Sequence, residues 1–142
     1  SEKKLQVYTK DIEAIIGREA VQVPRVYQLD RFVINSGNKI TSTAAVRLRY
    51  NDKPLEGVAF GDGPIDAAFH VIGKIMGMDI ELFDFNLKSV TEGKDALGAA
   101  TVKIRYNGKI YAGRGLSTDV IESSIMAYIN AVNKMLYEEG IQ

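Results

Sequence analysis

Ala44-Ala45-Val46-Arg47-Leu48-Arg49-Tyr50-Asn51 returns later in the chain as Ala100-Thr101-Val102-Lys103-Ile104-Arg105-Tyr106-Asn107. In both copies apolar residues alternate with basic or small ones, the pattern of a strand with one face buried and the other in water. The offset is 56 (Ala100 against Ala44), and it holds without a gap through the turn and beyond: Gly57 falls on Gly113 and Ile65 on Ile121. Before the strand, Gly37 falls on Gly93. Self-similarity at one fixed offset marks an internal repeat, here a tandem of two rather than a solenoid.

Val26 to Ile34 reads as a strand closed by the turn Asn35-Ser36-Gly37-Asn38. Asn51-Asp52 makes a tight turn into a third strand, Lys53 to Phe60. Ile65, Ala68, Phe69, Ile72 and Ile75 then follow helical spacing up to Gly77. The second copy ends in a longer helix, Asp119 to about Glu139, with Ile121, Ile125, Tyr128, Val132 and Met135 on one side and an Asp119–Glu122 pair resembling a capping box. The expected fold is therefore α+β, a tandem pseudo-symmetric pair of βββα units (about 25–77 and 78–142) whose antiparallel sheets pack with two helices. Two such units should form a sandwich, with open strand edges that chains of this size often cover by dimerisation. Upstream, residues 1–24 read as a short helix with Thr9 as cap and Gly17 as stop, followed by a connector from Ala20 to Pro24.

At 142 residues and 46% hydrophobic, the chain can bury a real core without disulfides or metal. Its 18 basic and 18 acidic residues cancel, so no overall field points to nucleic acid or to an anionic membrane. The absence of cysteine removes thiolate zinc sites and cysteine nucleophiles and leans towards the cytoplasm. No stretch approaches the run of about 18 apolar residues that a membrane span needs.

The chemistry concentrates at Gly61-Asp62-Gly63-Pro64-Ile65-Asp66-Ala67, where a strand turns into a helix. Gly63 offers bare backbone, Pro64 suits a first helical position, and Asp66 complements the helix dipole. Such a start can receive a carboxylate or phosphate on its free N–H groups while Asp62 faces an ammonium group. A capped helix with no ligand is the plainer alternative. His70, the only histidine, lies between Phe69 and Val71 and reads as structural. Ser117-Thr118-Asp119 reads as a cap rather than a nucleophile, so no catalytic or metal constellation emerges. Arg47, Arg49, Lys103 and Arg105, with Lys53 and Lys109, form either a solvated face or a basic stripe. The order helix, three strands, helix from Thr9 to Gly77 also matches a double-stranded RNA-binding module. Against that module, the second helix opens with Asp62, Pro64 and Asp66 where phosphate-gripping lysines belong.

From about Arg25 to the end the chain resembles the C-terminal regulatory domain of 2-isopropylmalate synthases and the related citramalate synthases. The resemblance rests on Gly61 to Ala67, on the strand Ile80 to Leu87 with Asp84-Phe85, and on Ser117-Thr118-Asp119-Val120-Ile121-Glu122 leading to Ala131-Val132-Asn133. Lys3 to Gly17 resembles the end of the linker subdomain that joins this domain to a catalytic barrel. The resemblance implies a homodimeric allosteric module without catalytic residues of its own. In the full enzyme, a barrel using a divalent metal would condense acetyl-CoA with a 2-oxo acid, and the regulatory domain would bind the branched-chain end product and inhibit. The implied effector pocket lies between the units near the dimer interface. It comprises Asp62, Gly63, Ile65 and Asp66, then Leu82, Phe85 and Ser89, then Ala96 and Gly98, and finally Asp119 and Val120. Small Ser89 and Ala96 favour leucine; isoleucine, with citramalate synthase as the parent, is the alternative, since one methyl position is worth only about 1–3 kcal/mol. A dimerisation domain without a ligand is a third reading.

Overall fold

The computed structural model describes residues 23–92 and 95–141, with backbone alone at 91, 92, 95 and 96. The expected short helix and connector of residues 1–24 thus fall almost wholly outside the described residues. Within them the βββα unit forms twice, as two compact units, Val26–Ile80 and one containing Glu81–Gln142. The first comprises β1 (Tyr27–Gly37), β2 (Ile40–Tyr50), β3 (Lys53–Gly61) and α1 (Pro64–Met76). The second comprises β4 (Glu81–Glu92), β5 (Asp95–Tyr106), β6 (Lys109–Ser117) and α2 (Val120–Glu139). Each sheet has three antiparallel strands in chain order, β1-β2-β3 and β4-β5-β6.

The repeated Tyr-Asn dipeptide sets the hairpins. Asn51 and Asp52 take φ of 48° and 69°, and Asn107 and Gly108 take 51° and 76°. Positive φ at both central residues is the type I′ turn, whose twist matches that of the flanking strands. With register fixed by the turn, every second residue of β2 and β5 faces a helix. Ala44, Val46 and Leu48 are at most 2% exposed, and so are Ala100, Val102 and Ile104. They meet the stripe of Ala68, Val71 and Ile72 on α1, or of Ile125, Val132 and Met135 on α2, all fully buried.

Glycines in the last strand of each unit let the helix backbone settle directly on the sheet. A Cβ at Gly61 would stand 2.3 Å from Ala67 N, at Gly113 2.1 Å from Ala131 N, and at Gly115 2.1 Å from Ser123 O. The helices also satisfy backbone groups along the outer edge of that strand. On α1, Lys74 Nζ donates to Val58 O at 3.4 Å and His70 Nδ1 to Phe60 O at 2.9 Å; on α2, Asn130 Nδ2 donates to Arg114 O at 2.6 Å. Lys74 and Asn130, like Val58 and Arg114, are equivalent at the offset of 56. Side chains so placed block the edges of β3 and β6 against a further strand.

Two boundaries differ from the expectation. β1 continues through Asn35-Ser36-Gly37, with Asn35 opposite Thr43 and the Ser36 and Ser42 hydroxyls 2.9 Å apart, so the turn moves to Asn38-Lys39. β4 runs past Leu87 to Glu92, because pairing to β5 continues where its own residues turn polar. The repeat also shifts in the first strand. Phe32 faces Val46 and Phe85 faces Val102, so β1 and β4 correspond at an offset of 53 (Phe85 against Phe32), three fewer than the 56 that relates β2 to β5. Gly93, the sequence counterpart of Gly37, lies outside the described residues. Each first strand bulges at the same place, Asp30 and Phe83 being the extra residues opposite Leu48 and Ile104.

Candidate ligand site

In the first unit, Asp62, Gly63, Ile65 and Asp66 stand together at the passage from β3 to α1. The two glycines there have different roles. Gly61 is required by the close approach of α1, whereas a Cβ at Gly63 would meet nothing within 4 Å, and φ of −150° suits any residue. Gly63 is the N-cap and, lacking a side chain, leaves the N–H groups of Ile65 and Asp66 without a built-in acceptor, while Pro64 has none to offer. The Asp66 carboxylate folds back so that Oδ2 accepts the Asp62 N–H at 2.9 Å. The Asp62 side chain remains exposed beside this open helix start.

In the second unit the equivalent start is closed. Asp119 Oδ1 accepts from Ile121 N at 2.8 Å and Glu122 N at 3.3 Å. The expected capping box is relayed: Asp119 N donates to Ser117 Oγ at 3.1 Å, and Ser117 Oγ donates to Glu122 Oε2 at 2.9 Å. The Ser123 and Ser124 hydroxyls turn back to Val120 O at 2.9 and 2.8 Å. Ser89, Gly98 and Ser117 form one row across the sheet, and Gly98 lies beneath the first turn of α2, where an added Cβ would approach Ser123 Oγ to 3.3 Å and Val120 Cγ2 to 3.5 Å. Ser89, Gly98, Asp119 and Val120 are therefore brought into one neighbourhood. Ala96 pairs with Thr91 further along β5, and its side chain lies outside the described residues.

Leu82 and Phe85 share the helix-facing side of β4 with Ser89, yet α2 packs over β5 and β6 and scarcely touches β4. An apolar ledge results, with Leu82 43% exposed and Phe85 half-buried. Leu87, between Phe85 and Ser89 on the same side and 38% exposed, completes it. The sequence reading did not include Leu87, although period-two alternation from Phe85 finds it. His70, expected to be structural, lies with Nε2 3.4 Å from Asp66 Oδ1, one helical turn away.

The other chemistry resolves into structural contacts. Arg47 pairs with Glu56 and lies 3.9 Å from Asp30, Arg49 lies 3.7 Å from Asp30, and Arg105 lies 3.7 Å from Glu81 and over the Phe83 ring at 4.7 Å. The arginines of the basic stripe are thus compensated locally. Among the described residues no group of three or more His, Cys, Asp or Glu is placed to hold a metal ion, and no helix is long and apolar enough to cross a membrane. Burial, reinforced by a hydrogen bond to Glu139, pushes the Tyr111 phenol up to about 12. A shallow concavity of about 360 Å³ lies over the outer face of the first sheet, along the cross-strand row Val33–Ala45–Val58. It includes none of the expected site residues.

Residues 6–136 match the family described as LeuA allosteric (dimerisation) domain. The chain is 47% identical over 140 residues to a 2-isopropylmalate synthase of Ruminiclostridium cellulolyticum, covering 99% of this chain and 27% of that protein. It is 43% identical over 138 residues to one of Clostridium kluyveri, covering 97% and 27%. To one of Pelotomaculum thermopropionicum it is 42% identical over 139 residues, covering 97% and 28%. The chain thus spans about a quarter of the length of these relatives.

Proposed function

The chain belongs to the LeuA allosteric (dimerisation) domain family, and from that premise we propose that it binds a branched-chain amino acid, leucine in preference to isoleucine, as the feedback-regulatory and dimerising part of a 2-isopropylmalate synthase-type enzyme. The observation that carries the reading is the contrast between the two helix starts. At α2 the free N–H groups are taken by Asp119, whereas at α1 those of Ile65 and Asp66 have no capping side chain and Gly63 stands in open space. An amino acid's carboxylate suits these N–H groups, and its ammonium suits the exposed Asp62 carboxylate. In the second unit, taken by itself, Leu82, Phe85 and Leu87 form an apolar ledge, and the family resemblance assigns Leu82 and Phe85 to the effector site. The relatives' name, 2-isopropylmalate synthase, favours leucine over isoleucine.

On this reading the fragment turns over no substrate. Condensation of acetyl-CoA with a 2-oxo acid, with its divalent metal, belongs to the rest of such an enzyme. Inhibition then requires that the amino acid bind a less active arrangement more tightly than an active one, since affinity alone shifts nothing. Calorimetry of the chain with leucine, isoleucine and valine, alongside sedimentation, tests the proposal. The expected result is a dimer that releases or absorbs heat most strongly with leucine. Silence with all three at millimolar concentration refutes amino-acid binding. In that event a stable dimer points to a ligand-free dimerisation domain, and affinity for duplex RNA points to the nucleic-acid reading.

A further inference from the structure

One exposed relay ties down the open helix start. His70 Nδ1 lies 2.9 Å from Phe60 O, Nε2 lies 3.4 Å from Asp66 Oδ1, and the other carboxylate oxygen of Asp66 accepts the Asp62 N–H at 2.9 Å. A carbonyl oxygen only accepts, so Nδ1 carries a proton. Nε2 then faces a carboxylate, an attraction only if it is protonated too. The imidazolium satisfies both partners; the neutral ring, keeping its proton on Nδ1, turns a lone pair on Asp66. The other charges facing this ring are few. On α1, Lys74 is one turn further on and directed at Val58 O, and at the corner there is Asp62. On β3, Lys53 and Glu56 lie towards the far end of the strand, with Glu56 paired to Arg47.

We infer that His70 is a positioning residue for the ligand site at the β3–α1 corner, and that its protonation strengthens the hold on a ligand carboxylate there. The inference rests on the amino-acid reading of that site. Protonated, His70 fixes the Asp66 carboxylate against the Asp62 peptide and offsets a negative charge that stands beside the N–H groups of Ile65 and Asp66. Deprotonated, it leaves that charge uncompensated next to an incoming anion. The His70 and Asp66 side chains are 58% and 45% exposed, so water screens the effect. A change in affinity of about two- to fivefold is expected.

The test is calorimetric titration of the 142-residue chain with leucine at low salt, from about pH 5 to 8, for wild type, His70→Gln and His70→Ala. Backbone amide shifts of Asp62 are followed over the same range in the ligand-free proteins. Wild type should bind about two- to fivefold more tightly at the acidic end. His70→Gln should flatten the profile without lowering the thermal midpoint, and His70→Ala should flatten it and also weaken binding. The Asp62 amide shift should differ between the acidic and alkaline ends of the range in wild type alone. A pH profile unchanged in His70→Gln, or a flat one in wild type, overturns the inference while leaving leucine binding intact. An Asp62 amide that ignores His70 overturns the relay whatever the ligand does. Absence of binding by wild type to leucine and isoleucine refutes the reading of the site, and the inference about affinity falls with it.

Discussion

Replacing Gly113 with alanine asks the second unit to accommodate one methyl group where the structure has no room. The new Cβ would lie 2.1 Å from Ala131 N and 2.3 Å from Ala127 O. Ordinary contact needs about 3.5 Å, so the shortfall exceeds about 1 Å. Both neighbours are helix backbone, which cannot rotate aside as a side chain would. Relief must come from lifting α2 off β6 and β5, which loosens Ile125, Val132 and Met135 against Val102 and Ile104, all fully buried. Overpacking of a rigid core costs about 1–3 kcal/mol, and a backbone-against-backbone clash belongs at the upper end. With a urea m-value of about 2 kcal/mol/M, a loss of about 3 kcal/mol lowers the midpoint by about 1.5 M. Urea unfolding followed by circular dichroism measures it, with Gly63→Ala as the control. That methyl meets nothing within 4 Å, so its change should be confined to the loss of a favourable N-cap residue, about 1 kcal/mol or less. If the two variants unfold within about 1 kcal/mol of each other, the direct seating of helix on strand is refuted.

Removing the acceptor at the closed helix start, Asp119→Ala, should cost about 0.5–2 kcal/mol, read as a lower thermal midpoint. At the open start, Asp62→Ala should weaken leucine binding, and Phe85→Ala should weaken it more by removing apolar surface; equal calorimetric affinities for wild type and both variants would count against the ligand assignment. Tyr111 supplies a pH test. Its folded value of about 12 stands above the ordinary 10, so the folded state favours the neutral phenol, and the contribution to stability is complete below pH 10 and lost as pH rises from about 10 to about 12. Tyr111→Phe should reduce that alkaline decline in the urea midpoints, the remainder coming from Tyr27 and Tyr128, whose phenols burial also pushes up.

The repeat was legible because its signals are local. Alternation in Ala44 to Tyr50 and in Ala100 to Tyr106 sets strand faces, and Asn51-Asp52 and Asn107-Gly108 dictate a turn that few other residues tolerate. What escaped depends on neighbours in space. Asn35-Ser36-Gly37 has turn composition, but pairing with β2 and a serine–serine contact hold it extended. The strand expected over Ile80 to Leu87 runs on, because Lys88, Ser89 and Val90 still pair with β5. At the candidate site, the grouping of Asp62 to Asp66 followed from adjacency, and that of Ser89 with Gly98 was anticipated through the family resemblance. The difference between the helix starts was not anticipated. Asp119 and Gly63 occupy equivalent positions, and only hydrogen bonding reveals that one fills its own N–H sites and the other leaves them open. His70 reads as structural from its place between Phe69 and Val71; which face of the helix carries its ring, here the exposed flank over the strand edge, depends on packing.

The strand order carries a consequence for how the molecule is made. In each sheet the strands lie side by side in the order of synthesis, and the helix that follows settles mainly on the last two strands completed. Contacts therefore join segments close in sequence, the arrangement with the smallest loop-closure penalty and the fastest folding for a sheet protein. Once residue 80 has left the ribosome, the first unit has every strand and helix of its own core, so its folding need not wait for the second.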